Sequence, residues 1–284
     1  MRLVFYSDSV YVKKSNSIYY KLDDLVQGSN LENLELSSAT IYDHWANIQP
    51  LLSNININNY KSVEIRSDVK FDPVSIFPKQ VFAIGTNYID HAKEMRLPIP
   101  KSPVVFTKFQ SCITGANASI SLPSKTVDYE NELTVVIGKS CRNVAVSDAL
   151  EYVAGVTVGQ DLSERTLQFA NGNHFSLGKS FPGFAPIGPE LVTLDEINSV
   201  NNLKIKTRLN GKILQDSSTS QMIFNVNELI SYLSSILQLF PGDLIFTGTP
   251  VGVGYSRSPA IYLKPNDVLV SEIENVTSQT IYFK

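Results

Sequence analysis

A mostly β chain with short helices, an α+β fold, is what this sequence predicts, and three observations predict it. Apolar runs are short and rich in Val, Ile and aromatic residues, and clusters of Ser, Asn, Gly and Pro cut them apart. Asn210-Gly211 sits between Leu203–Leu209 and Ile213–Gln215, the pairing that favours a type I′ hairpin. The stretch 177–189 carries too much Gly and Pro for a helix.

With 284 residues, 43% of them hydrophobic, the chain can build one large domain and a small one. Net charge is -3 with no basic run, which argues against nucleic acid as a partner. No apolar run reaches membrane length. The N-terminal residues lack a signal peptide's apolar core and place Asp8 too early for a transit peptide. A cytoplasmic protein is expected, with a mitochondrial one left open. Cys112 and Cys141 lack metal or redox spacing and read as reduced core thiols.

Residues 1–75 read as a small N-terminal α+β domain, and 76–284 as the main domain. Leu3–Tyr6, Val10–Lys13 and Ile18–Lys21 suggest a meander. Ile41, Trp45 and Ile48 recur at helical spacing, with Pro50 expected to end that helix. Val81–Gly85 reads as a buried strand. In the helical pattern that follows, His91 and Glu94 share a face. A carboxylate beside an imidazole makes a general base, though an ordinary exposed pair has the same spacing. The proline-rich Leu97–Pro103 suits a lid or its hinge. Lys108 ends an apolar strand where a buried pocket can use a cation.

The stretch around which the chain is organised is Asp128–Gly138, read as one strand. Asp128, Glu130 and Glu132 fall on one face, the two glutamates about 7 Å apart. Either this is a solvated acidic strand end, or a hard divalent cation relieves the repulsion. Ser147 is expected to cap a helix that Gly155 stops, and Val156–Asp161 reads as a strand whose terminal carboxylate offers a third oxygen ligand. Arg165 and Gln168 share a face if Ser163 caps a helical turn. Asn171–His174 reads as a mobile turn. Lys179 sits among apolar neighbours, where an ammonium must be paired or functional. Asn227 is expected to cap a helix stopped by Pro241-Gly242-Asp243. The Thr247–Gly254 loop lacks a phosphate loop's ending, but its amides and Thr249 can hold a carboxylate. Val268–Glu274 reads as the closing strand.

Taken together, Asn87-Tyr88, His91, Glu94, Asp128-Tyr129-Glu130-x-Glu132-Leu133, Asp161-Leu162-Ser163-x-Arg165-x-x-Gln168, Gly178-Lys179-Ser180-Phe181 and Thr247-Gly248-Thr249-Pro250-x-Gly252-Val253-Gly254 occur in one order. That order resembles the fumarylacetoacetate hydrolase family, over about residues 79–275. The resemblance implies a β-roll or β-sandwich catalytic domain and a homodimer. It implies a metal site at Glu130, Glu132 and Asp161 for Mg²⁺ or Mn²⁺, with Ca²⁺ as a third candidate. Catalytic roles would fall on His91, Glu94 and Lys179, and substrate-binding roles on Tyr88, Lys108, Arg165, Gln168 and Thr249. Glu164-Arg165-Thr166 stands where the family often has Ala-Arg-Asp, and Pro182 where it often has Asp. The activity implied is metal-stabilised enolate chemistry on 2-oxo or 2,4-dioxo acids: acylpyruvate hydrolysis, oxaloacetate decarboxylation or keto–enol tautomerisation. The alternative is an inactive member serving as a binding or dimeric scaffold. A zinc hydrolase is disfavoured, since the three histidines are widely spaced.

Overall fold

The computed structural model describes residues 1–66, 68–170 and 172–284. Its backbone is organised by a ten-stranded sheet. In spatial order the strands are Val63–Glu64, Ile18–Lys21, Ser9–Lys13, Arg2–Tyr6, Glu190–Val192, Val153–Gln160, Asn131–Ile137, Leu244–Phe246, Val81–Gly85 and Val104–Thr107. The N-terminal meander forms as its turn residues dictate, with Ser7 and Asp8 at positive φ. The sheet continues across the expected boundary at residue 75, because Arg2–Tyr6 pairs antiparallel with Glu190–Val192. One apolar core joins both parts, with Leu3, Phe5 and Trp45 in the same cluster as Val136, Leu191 and Phe246.

A second sheet of five strands runs Lys212–Ser218, Lys204–Leu209, Val268–Ile273, Thr277–Phe283 and Ser119–Ile120. The Asn210-Gly211 hairpin forms with both residues at positive φ. Val268–Ile273 is not the closing strand, because Thr277–Phe283 pairs beside it along its whole length. The helix Val226–Ile236 packs Leu229, Ile230 and Leu233 against Leu133, Val135 and Val158 of the large sheet. The central strand Asn131–Ile137 is therefore buried on both faces.

Several expected boundaries moved, each for a local reason. Pro50 lies inside the helix Trp45–Asn54. The bond it cannot donate is outweighed by burial of Trp45, Ile48 and Leu52 on one face. Val146–Tyr152 is a 3₁₀ segment, and its N-cap Ala145 offers no side-chain bond, so Ser147 is no cap. Gly155 lies within a strand instead of stopping a helix. A Cβ there would come within 2.6 Å of the Val192 carbonyl oxygen, so the close strand approach requires glycine. The true cap of Val226–Ile236 is Asn225, in a reciprocal capping box with Glu228, and not Asn227. Asn225→Ala is expected to cost about 1 kcal/mol, read as a lower urea midpoint at unchanged m-value.

Candidate metal centre and active site

Three carboxylates meet where the central strands begin and end. Glu132 lies in the strand Asn131–Ile137, Glu130 just before it, and Asp161 just after Val153–Gln160. The expected single strand 128–138 is broken: Val127–Asp128 pairs with Ser163–Glu164, while Asn131–Ile137 pairs with Val153–Gln160. The break lets Glu130 and Asp161 face each other, tied by the Asp161 N–H to the Glu130 carbonyl at 2.9 Å. One oxygen from each of Glu130, Glu132 and Asp161 lies within 4.8 Å of the others. The three residues are 6%, 1% and 1% exposed, which removes the solvated-strand alternative.

Cations surround the triad. Lys179 Nζ donates to Glu130 Oε2 at 2.6 Å and to Asp161 Oδ2 at 2.5 Å. Lys108 Nζ donates to Asp161 Oδ1 at 2.6 Å and to the Lys179 carbonyl. Arg165 pairs with Glu130 Oε1 at 2.7 Å. Glu132 accepts the Gly248 N–H at 2.7 Å and has no cationic partner among the described residues. With Asp128 included, four buried carboxylates face three buried cations, one negative charge in excess. Burial, then Asp161 and Glu130, push the Glu132 carboxyl well above the usual range. Burial also works against ionised Glu130, but Lys179 and Arg165 overcome it and hold that carboxyl low. Burial disfavours the charged Lys179 as well, yet Asp161 and Glu130 raise its pKa and keep it protonated. An all-oxygen donor set with surplus negative charge fits a hard divalent cation.

This arrangement has a pH consequence. In the metal-free protein, folded Glu132 retains a proton that the unfolded chain releases near about pH 4.3. Metal-free stability therefore falls as pH rises above that value, until the folded group also ionises. A cation takes Glu132 in its ionised form, so the stabilisation by Mn²⁺ is expected to grow between about pH 5 and pH 7.5. Thermal unfolding with and without the ion checks this, and a shift independent of pH would count against the triad.

The His91–Glu94 pair lies on the helix Ile89–Glu94, with His91 Nδ1 3.0 Å from Glu94 Oε2. Burial would raise the Glu94 pKa, but hydrogen bonds from His91, Ser256 and the Gly252 amide hold it below the ordinary value. An ionised Glu94 selects the imidazole with its proton on Nδ1, which leaves Nε2 as an acceptor. His91 itself is 8% exposed and lines the cavity.

Arg165 begins the helix Arg165–Gln168. The cap is the Glu164 carboxylate, which accepts from the Thr166 and Leu167 amides, and not Ser163, whose hydroxyl bonds the Asp161 carbonyl. Arg165 donates from Nε and Nη2 to Asp128 Oδ2 at 2.9 and 2.6 Å, and from Nη1 to Gln168 Oε1 at 2.8 Å. Fully buried Asp128 also accepts the amides of Gly254 and Tyr255. A Cβ at Gly254 would fall 2.7 Å from Asp128 Oδ1, so this contact too requires glycine. Asp128 thus fastens the arginine to the Gly-rich loop, while the Gly252 amide of the same loop holds Glu94 at 3.1 Å.

A cavity of about 110 Å³ opens over the triad. It brings together His91, Glu130, Glu132, Arg165, Gln168, Lys179 and Thr249. Asp161, Glu94, Lys108 and Tyr88 do not line it. Asp161 and Lys108 lie beneath the floor, and Glu94 supports His91. Tyr88 is fully buried in the apolar core with Phe82 and Ile84, its hydroxyl unpartnered among the described residues. Tyr88, expected to bind substrate, thus stands outside the cavity lining, with its hydroxyl near enough to Glu132 for that charge to act on it. The Thr249 hydroxyl is committed to the Asn131 carbonyl and to Gln215 Nε2. His174 is exposed and precedes the short helix Phe175–Gly178 without a side-chain capping bond, and Asn171 of the expected turn lies outside the described residues. The sequence reading missed Asp128 as the anchor of Arg165. It also missed the aromatic walls Phe106, Phe169, Phe175 and Tyr255. Asp128 was within reach, since a carboxylate two residues before the glutamates invites a basic partner. The aromatic residues carry no local signal, because they are scattered along the chain.

Comparison with known proteins bears directly on this constellation. Residues 80–281 match the family model described as fumarylacetoacetate (FAA) hydrolase C-terminal. The chain belongs to the fumarylacetoacetate hydrolase family. A fumarylacetoacetate hydrolase domain-containing protein 2 homolog of Dictyostelium discoideum is 45% identical over 250 residues, 83% of this chain and 80% of that protein. The mitochondrial oxaloacetate tautomerase Fahd2a of Rattus norvegicus is 46% identical over 213 residues, 74% of this chain and 68% of that protein. Among solved structures, the fumarylacetoacetate hydrolase of psychrophilic Exiguobacterium antarcticum superposes with TM-score 0.86 at 29% identity, covering 100% of this chain and 99% of that one. The 5-carboxymethyl-2-hydroxymuconate delta-isomerase of Mycobacterium smegmatis does so with TM-score 0.75 at 26% identity, covering 100% and 98%. These members of the fumarylacetoacetate hydrolase family are named for catalysis, and this chain is an enzyme of that family.

Proposed function

We propose a divalent-metal-dependent enzyme of 2-oxo acids whose reaction is the keto–enol tautomerisation of oxaloacetate. One observation carries it: a small cavity is lined by a glutamate-oriented imidazole and by Glu130 and Glu132, with the Asp161 carboxylate converging on the two glutamates. Glu130, Glu132 and Asp161 would hold Mg²⁺ or Mn²⁺. Once bound, the ion supplies a Lewis acid that polarises the 2-oxo group and lowers the cost of enolate charge.

The chain's own residues do the rest. Arg165, Lys179 and Lys108 make the floor electropositive once the surplus carboxylate charge is matched, so the oxo-acid end enters first. Arg165 has one N–H of five uncommitted among the described residues, so it acts more by its field than as an open fork. His91 Nε2 takes a proton from C3, and the electron pair of that C–H bond becomes the C2–C3 double bond. The same imidazolium returns the proton to the C2 oxygen, which gives the enol with no net consumption of water. Lys179 remains protonated and offsets charge on that oxygen. The aromatic walls limit water, which favours proton transfer over hydrolysis. The name of the rat relative supports oxaloacetate.

Decarboxylation or acylpyruvate hydrolysis would pass through the same enolate, so the assay must separate products. With Mn²⁺-loaded protein, the enol absorbance of oxaloacetate is expected to relax at least about 10²-fold faster than in buffer, without pyruvate forming. Pyruvate released at the same rate would make the enzyme a decarboxylase, and faster cleavage of acylpyruvates would make it a hydrolase. A homodimer is part of the proposal, read by sedimentation. So is a cytoplasmic setting, which cell fractionation tests against the mitochondrial naming of the rat relative.

A further inference from the structure

The cavity changes character from floor to mouth. Glu130, Glu132 and Lys179 are 6%, 1% and 3% exposed at the floor, whereas Phe169 and Tyr255 are 40% and 41% exposed at the mouth. The two rings stack with centroids 5.1 Å apart and planes at 38°. Both are mounted on fixed parts. Phe169 closes the helix Arg165–Gln168, its N–H bonded to the Arg165 carbonyl at 3.2 Å. Tyr255 donates its N–H to buried Asp128 at 3.0 Å, and its ring lies 5.8 Å from the Arg165 guanidinium. Tyr255 packs against both Phe169 and the anchored arginine, so swinging it out abandons both contacts, and swinging Phe169 out abandons the ring contact; together they form a stiff wall.

We propose that Phe169 and Tyr255 are a chain-length filter, specificity-determining residues that admit short 2-oxo acids and reject those with a longer group on C3. This rests on the oxo-acid reading above. The charged oxo-acid end is drawn to the polar floor, so the C3 substituent points to the mouth. In a cavity of about 110 Å³, a substituent the size of a carboxylate fits beneath the pair, and a longer acyl tail meets the rings. A misfit of one methylene in such a pocket is worth about 10–200-fold in discrimination. The opposite role, a platform on which a long tail stacks, predicts the reverse trend.

The test is calorimetric binding of N-alkyl oxamates, methyl to hexyl, to Mn²⁺-loaded protein, which needs no turnover. Wild type is expected to lose affinity as the alkyl group lengthens. In Phe169→Ala and Tyr255→Ala that gradient should flatten, with hexyl oxamate gaining at least about tenfold relative to methyl. Phe77→Ala, 67% exposed and away from the cavity lining, should keep the wild-type gradient. An unchanged gradient in both cavity variants overturns the filter, and weaker hexyl binding in them overturns it in favour of a platform. If wild type binds no oxamate at all, the oxo-acid reading falls and the filter falls with it. If oxaloacetate is turned over but the gradient is flat in wild type, only the filter falls.

Discussion

Glu132→Gln should abolish metal binding and, at the same time, make the metal-free protein more stable. The two effects have one cause. Among the described residues Glu132 is the triad carboxylate with no ion-pair partner, buried beside Glu130 and Asp161, and its ionised form is disfavoured by burial and by both neighbours. Glutamine keeps the shape and can still accept the Gly248 amide, but carries no charge. At neutral pH the metal-free variant is expected to unfold at a higher thermal midpoint than the metal-free wild type, because no buried carboxyl at this position has to hold a proton. Mn²⁺ should no longer shift that midpoint, and turnover should fall on the order of 10³-fold. A variant that still responds to Mn²⁺ would remove Glu132 from the metal site. A variant that loses stability without the ion would show that the excess charge is neutralised in another way.

His91→Ala separates chemistry from metal binding. Among the described residues His91 forms no ion pair with the carboxylates of the triad; its partner is Glu94. The thermal shift with Mn²⁺ should therefore stay as in wild type, while kcat falls by about 10²–10⁴-fold, the usual worth of a positioned general base. Glu94→Gln should fall between wild type and His91→Ala. It leaves the imidazole in place but loses the ionised acceptor that selects its tautomer, and it weakens the anchor on the Gly252 amide. Unchanged turnover in His91→Ala would reassign the proton transfer to another group, with Lys179 next to be tested.

The sequence was most informative where a short-range rule acts. Asn210-Gly211 turns the hairpin because both residues tolerate positive φ. His91 and Glu94 meet because three residues along a helix return to the same face. It was less informative at element ends. A proline is outweighed by a buried helical face at Trp45–Asn54, and the cap falls on Asn225, two positions before the expected Asn227. In both cases packing or a reciprocal side-chain bond won over the single-residue preference.

By itself, the sequence supplied the candidate groups: three oxygen-bearing acids, one imidazole with its carboxylate, and one lysine among apolar neighbours. Residue type and local spacing restrict which charges can be buried and which ions suit them, and the family resemblance joined the candidates into one proposed site. Tertiary structure alone decided what those groups face. Asp128 reaches Arg165 across 37 residues and Gly252 reaches Glu94 across 158, and the aromatic walls come from three distant segments. It alone joined the N-terminal meander to the central sheet through Arg2–Tyr6. Contacts at such separations depend on how whole sheets pack, and no local preference encodes that.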